Sequence, residues 1–166
     1  MARKRTEYRL QPLLQIKARA KQRAEIALAR AIAKLAEEQK KLKKLEEEKQ
    51  KIIEKRKATR REMHEKMITG HARVSDSRVR GNYLRRLEEE QKKKEEEIET
   101  QKKVISNCEL QVKRARRDYI DAVKELRVME KHKELWKKKL ALEISREEEK
   151  EMDELGNVIH QLKQHG

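Results

Sequence analysis

Two long runs of apolar residues, spaced alternately three and four apart and separated by one glycine-bearing break near residue 70, leave this chain few ways to fold. An α-helix turns every 3.6 residues, so this spacing keeps a narrow apolar stripe on one helix face, which a neighbouring helix must bury. The first run comprises Ala24, Leu28, Ala31, Leu35, Leu42, Leu45, Ile52, Met63 and Met67, with polar interruptions at Glu38, Lys49 and Arg56. The second comprises Tyr83, Leu87, Ile98, Ile105, Cys108, Val112, Ala115, Tyr119, Ala122, Leu126, Met129, Trp136 and Leu140. With no Phe, one Trp, three Tyr and 46% charged residues, the chain cannot fill a compact core. The expected fold is all-α, a long two-helix antiparallel coiled-coil hairpin.

Local signals set the expected boundaries. Residues 1–10 read as a basic tail, and Pro12, the only proline, suits the first turn of a helix, where its missing amide would be unpaired anyway. Helix 1 is expected over 11–68. Thr69 and Gly70 then end it, and Ser75 or Asp76 is expected to cap the next helix, giving a turn over 69–76 and helix 2 over 77–164. Gly81 and Asn82 weaken the first turns that follow.

Folding about residue 73 places Leu45 opposite Gln101, Leu35 opposite Val112, Leu28 opposite Tyr119, and Leu10 near Trp136. The seam is expected to be loose where Arg56 and Thr59 face Gln91 and Lys94. From about residue 141, helix 2 overhangs the start of helix 1. This overhang carries its own stripe, Met152, Leu155, Ile159 and Leu162, which invites an external partner, a fold-back or self-association.

Several chemistries lack their residues. Cys108 is the only cysteine and suits a small apolar seam position, and the five histidines form no ligand spacing with one another or with it. Four isolated glycines build no phosphate loop. No catalytic, cofactor or metal residues are assigned, and enzymatic activity is not expected. No apolar stretch approaches the roughly 20 residues that cross a bilayer, and no secretory leader is recognised, so a cytosolic chain without membrane insertion is expected. The net charge of +15 raises nucleic acid as a partner. Its distribution matters more: residues 1–36 carry about eight net positive charges and residues 143–166 about four net negative ones, while the middle alternates as solvated helix faces do.

The run Tyr8-Arg9-Leu10-Gln11-Pro12-Leu13-Leu14-Gln15-Ile16-Lys17 resembles the opening of the type III secretion stalk proteins, the YscO/FliJ-like family. So do His132-Lys133-Glu134-Leu135-Trp136 and Arg146-Glu147-Glu148-Glu149-Lys150-Glu151-Met152-Asp153-Glu154-Leu155-Gly156, the latter being most similar to chlamydial members. Residues 40–105 match only as charged coiled coil. The resemblance implies a monomeric, cytoplasmic bacterial stalk, peripheral to the inner-membrane secretion apparatus and similar in shape to the γ subunit of rotary ATPases. Its paired termini would enter the hexameric secretion ATPase, its rod would reach the cytosolic ring of the export gate, and export chaperones are further implied partners.

On that footing, Arg5, Arg9, Leu10, Leu13, Leu14, Lys17, Trp136, Leu140, Met152 and Leu155 are candidate ATPase contacts, although Leu10 and Trp136 could simply close the hairpin. Basic first turns and an acidic overhang could steer this end into a ring of complementary charge. Met63, Met67, Tyr83, Leu84 and Leu87 are candidate gate contacts that could equally be seam or cap residues. Two alternatives stand beside this reading. One is a basic coiled coil that binds RNA or ribosomes, disfavoured by sparse aromatics; the other is a homodimeric scaffold.

Overall fold

The computed structural model describes residues 7–71 and 73–164, and these form two helices, α1 (Gln11–Ile68) and α2 (Val74–Gln164). They pack antiparallel as an all-α helical hairpin. The start of α1 follows from its first amides: Gln11 N donates to Tyr8 O at 3.0 Å and Leu14 N to Leu10 O at 3.0 Å, while Pro12 fills a first-turn position that needs no donor.

The exit from α1 is a two-bond glycine cap. Gly70 has φ +70°, Gly70 N donates to Met67 O at 3.3 Å, and His71 N donates to Lys66 O at 3.2 Å. Those two bonds satisfy carbonyls that the helix end would otherwise orphan, and the positive φ favours a residue without Cβ.

The start of α2 departs from expectation. The helix begins at Val74, not 77, and Ser77 N donates to Arg73 O at 3.1 Å, which makes Arg73 the capping position in place of Ser75 or Asp76. Asp76 instead lies in the first turn, where its charge meets the positive end of the helix dipole. The turn is correspondingly shorter than the expected 69–76.

A shorter turn moves the register. The ion pairs Lys17–Glu125, Glu48–Lys94 and Arg80–Glu62 are each centred on residue 71, midway between the end of α1 and the start of α2. The expected centre was residue 73. Moving it by two residues slides each partner by about four, one helical turn, so Lys17 reaches Glu125 where the expected register sets Met129. Gln101, expected against Leu45, donates to the Glu38 carbonyl at 3.1 Å and to its Oε2 at 2.5 Å, displaced from Leu45 in the same direction.

Contacts group the chain into two compact units, Met1–Ile26 with Arg117–Gly166, and Ala27–Arg116. In the second, Leu87, Ile98, Ile105 and Cys108 are buried, all from the expected stripe, and Leu35, Leu42, Leu45 and Ile52 are half-buried along α1. Each buried aliphatic side chain contributes on the order of 1.5–3 kcal/mol. Cys108 is only 3% exposed and is a free thiol packed as a small apolar residue.

Polar residues bonded to partners occupy several other seam positions of that unit. Arg56 Nη1 donates to Gln91 Oε1, Lys49 pairs with Glu95 at 3.0 Å, and Lys94 bridges Glu48 at 3.0 Å and Glu97 at 2.8 Å. Hydrogen bonds from Lys41 and Gln101 hold the Glu38 carboxyl below its ordinary range, and Gln91 and Lys49 do the same for Glu95. Conversely, Glu38 raises the Lys41 ammonium, and Glu97 with Glu48 raises that of Lys94.

Candidate functional site

In the unit that holds the chain ends, the antiparallel pair closes on three rings. Tyr8, three residues before α1 begins, is 8% exposed. Its hydroxyl lies 2.7 Å from His132 Nδ1, and its ring meets Trp136 at 5.3 Å between centroids and His132 at 5.8 Å, both tilted. Tilted arrangements at this spacing set the positive edge of one ring against the negative face of another, and the bond to the exposed His132 imidazole satisfies the hydroxyl of buried Tyr8. Beside them Lys133 donates to Gln11 Oε1 at 2.8 Å and Lys17 pairs with Glu125 at 2.7 Å.

Two open grooves flank this cluster. One, of about 810 Å³, runs from Tyr8, Arg9 and Leu10 past His132, Trp136 and Leu140 to Arg146, Glu147 and Lys150. The other, of about 600 Å³, is bounded by Tyr8, Pro12, Gln15, Lys133 and Trp136. Trp136 therefore forms part of the wall of both. Beyond Leu140 every described residue of α2 is exposed, and Met152, Leu155, Ile159 and Leu162 present the overhang's apolar stripe to solvent.

The structure sorts the sequence candidates by availability. Arg9, Leu10, Leu13, Met152 and Leu155 are exposed; Leu14, Lys17, Trp136 and Leu140 are half-buried, with Lys17 held by Glu125 and Trp136 by Tyr8. Arg5, like Arg3 and Lys4, lies outside the described residues. Of the residues near the turn, Met67 and Tyr83 are exposed, Met63 and Leu84 are half-buried, and Leu87, 4% exposed, fills the seam.

Sequence reasoning gave Trp136 the partner Leu10, and Leu10 does line the same groove, but Tyr8 makes the ring contact. Tyr8 enters the sequence reading through the family resemblance and not as a seam residue, because the apolar stripe read there starts at Ala24. Half-buried Lys21, Lys17, Leu14 and Gln11 continue it toward the amino terminus, and a three- and four-residue count through those polar positions would have led to Tyr8. His132 enters the sequence reading through the resemblance run His132-Lys133-Glu134-Leu135-Trp136, without a seam role.

The arrangement offers surfaces for binding. Among the described residues there is no group of three or more His, Cys, Asp or Glu side chains that could hold a metal ion, and no helix is long and apolar enough to cross a membrane.

A family model described as YscO-like protein matches residues 5–166. The chain is similar to a solved structure described as that of a YscO homolog from Chlamydia trachomatis, at 29% sequence identity and a TM-score of 0.80, covering 97% of this chain and 99% of that one. A comparison with curated proteins finds no match.

Proposed function

We propose that this chain, which belongs to the YscO-like family, is a stalk of a type III secretion export apparatus whose paired ends enter the hexameric secretion ATPase. The observation that carries the reading is the construction of those ends. A Tyr8–His132–Trp136 cluster fixes the two helices together where α1 begins, and α2 continues past it with exposed Met152 and Leu155. A pair of helices closed this way can enter a ring as one body, with apolar side chains and charged collars on its outside. Arg9 lies on the basic strand of that collar, and Glu148, Glu149, Glu151, Asp153 and Glu154 on the acidic one.

Leu10, Leu13, Met152 and Leu155 are the apolar contacts of choice, being exposed in the absence of a partner. Met67 and Tyr83, exposed near the turn, are the candidates for the cytosolic ring of the export gate. The overhang's stripe also offers export chaperones a helix face. The stalk acts as a monomer at the cytoplasmic side of the secretion apparatus and couples the ATPase cycle to the gate without chemistry of its own.

The test is binding to the cognate ATPase, read by pull-down and by stimulation of hydrolysis. Met152→Glu with Leu155→Glu alters exposed positions, so the hairpin should keep its helical content while ATPase binding falls at least tenfold. Met67→Glu should leave ATPase binding intact. Failure of the parent protein to bind the ATPase would remove the reading.

A further inference from the structure

The turn of the hairpin combines a concentrated positive charge with exposed apolar side chains. From Lys55 to Arg86 there are eleven Lys or Arg and three acids, a net of +8, more than half of the chain's +15 in 32 residues. Among the described residues, only Arg56 and Arg80 of these cations have acidic partners, Glu88 at 4.0 Å and Glu62 at 3.3 Å. Alongside them Ile68 is 72% exposed and Val74 88%, and Met67 and Val79 are exposed as well. A solvated helix face explains the charge alone, but it gives no reason to place large apolar side chains at the same positions.

The apolar residues are also distributed unlike a seam. Met67 and Ile68 point about 100° apart around α1, and Val74 and Val79 about 140° apart around α2. No single partner helix can cover side chains so dispersed, whereas a fluid surface can accept each of them separately. We infer that the turn is a docking surface for an anionic lipid bilayer. Val74, Val79 and Ile68 enter the boundary between headgroups and acyl chains, and Arg73, Arg78, Lys66 and their neighbours pair with headgroup phosphates. The segment lies on the membrane; neither helix spans it. This contact is separate from ATPase binding, which uses residues of the other unit.

Co-sedimentation of the full chain with vesicles tests it. The protein should bind phosphatidylcholine vesicles containing one-third phosphatidylglycerol, bind pure phosphatidylcholine poorly, and lose affinity as salt rises. Arg73→Gln with Arg78→Gln should weaken partitioning about thirtyfold, the equivalent of about 1 kcal/mol for each basic residue. Val74→Ser with Val79→Ser should weaken it about tenfold. Both changes lie on exposed positions, and circular dichroism should show unchanged helix. A tryptophan introduced as Val79→Trp in a Trp136→Phe background should be quenched by brominated lipid. Equal binding to neutral vesicles, indifference to the valine changes, or absence of quenching would overturn the inference. Binding to RNA without binding to anionic vesicles would overturn it too, and would assign the charge to nucleic acid.

Discussion

Replacing Arg56 and Gln91 together by leucine should stabilise the protein, whereas replacing Gln91 alone should destabilise it. Both side chains occupy half-buried seam positions of the kind that pairing helices fill with apolar residues. The Arg56 side chain is 18% exposed; Nη1 donates to Gln91 Oε1, Nη2 stands 4.0 Å from Glu88, and Nε is buried without an acceptor among the described residues. A hydrogen bond to a charged group contributes about 1.5–3 kcal/mol, and an unsatisfied buried donor costs about 1–3 kcal/mol. Gln91→Leu removes the guanidinium's best acceptor and adds a half-buried leucine contributing about 1 kcal/mol, a net loss of about 1 kcal/mol. Arg56→Leu leaves Gln91 its 3.0 Å bond to Glu95 and should change stability by less than about 1 kcal/mol. In the double variant two leucines face each other and the stranded Nε is gone, a gain of about 2 kcal/mol. For a chain of this length that raises Tm by about 4–8 °C. Urea unfolding of the four proteins, followed by circular dichroism, closes a double-mutant cycle. A double variant less stable than the parent would refute the reasoning, because the polar layer would then outweigh an apolar one.

Three further expectations follow from the same geometry. Gly70→Ala should cost about 1 kcal/mol because its φ of +70° strains any Cβ, whereas Gly81→Ala, with open space around it inside α2, should add about 0.5–1 kcal/mol, both read from urea midpoints. Glu38 and Glu95 have lowered pKa values in the folded state, so their contribution is complete above the ordinary carboxylate range and is lost as pH falls through it to their lowered values; Lys41 and Lys94, raised, contribute until pH climbs through their raised values. Thermal melts across pH should therefore show a neutral plateau that drops at both ends, with a shallower acid limb in Glu38→Gln. Cys108, buried in the seam, should react with a thiol reagent only as fast as the helices open, and at full speed in denaturant.

The sequence exposed the seam because a three- and four-residue period survives any change in how the two helices slide: Leu87, Ile98, Ile105 and Cys108 face inward in any antiparallel pairing. Register depends on something more local. Ser75 and Asp76 have good capping chemistry, but the closed glycine cap at Gly70 and His71 lets α2 begin at once from Arg73, and a start three residues earlier on one side of the turn displaces the pairing by about a helical turn. Tyr8 was hidden for a different reason. The positions that carry the stripe from Ala24 toward it include the polar Lys21, Lys17 and Gln11, so an apolar count stops short, and its burial depends on the long-range contacts with His132 and Trp136. The apolar overhang beyond Leu140 was legible because helix 2 outlasts helix 1, a matter of counting residues to the break.

Hydrogen exchange of the protein alone and with the proposed partner, the hexameric secretion ATPase, tests the central claim most directly. The account predicts that the ATPase slows exchange over residues 7–17 and 133–155, where the aromatic cluster, its grooves and the overhang lie, and leaves 60–86 unchanged. Protection confined to the turn, or no protection by an active ATPase hexamer, would contradict it.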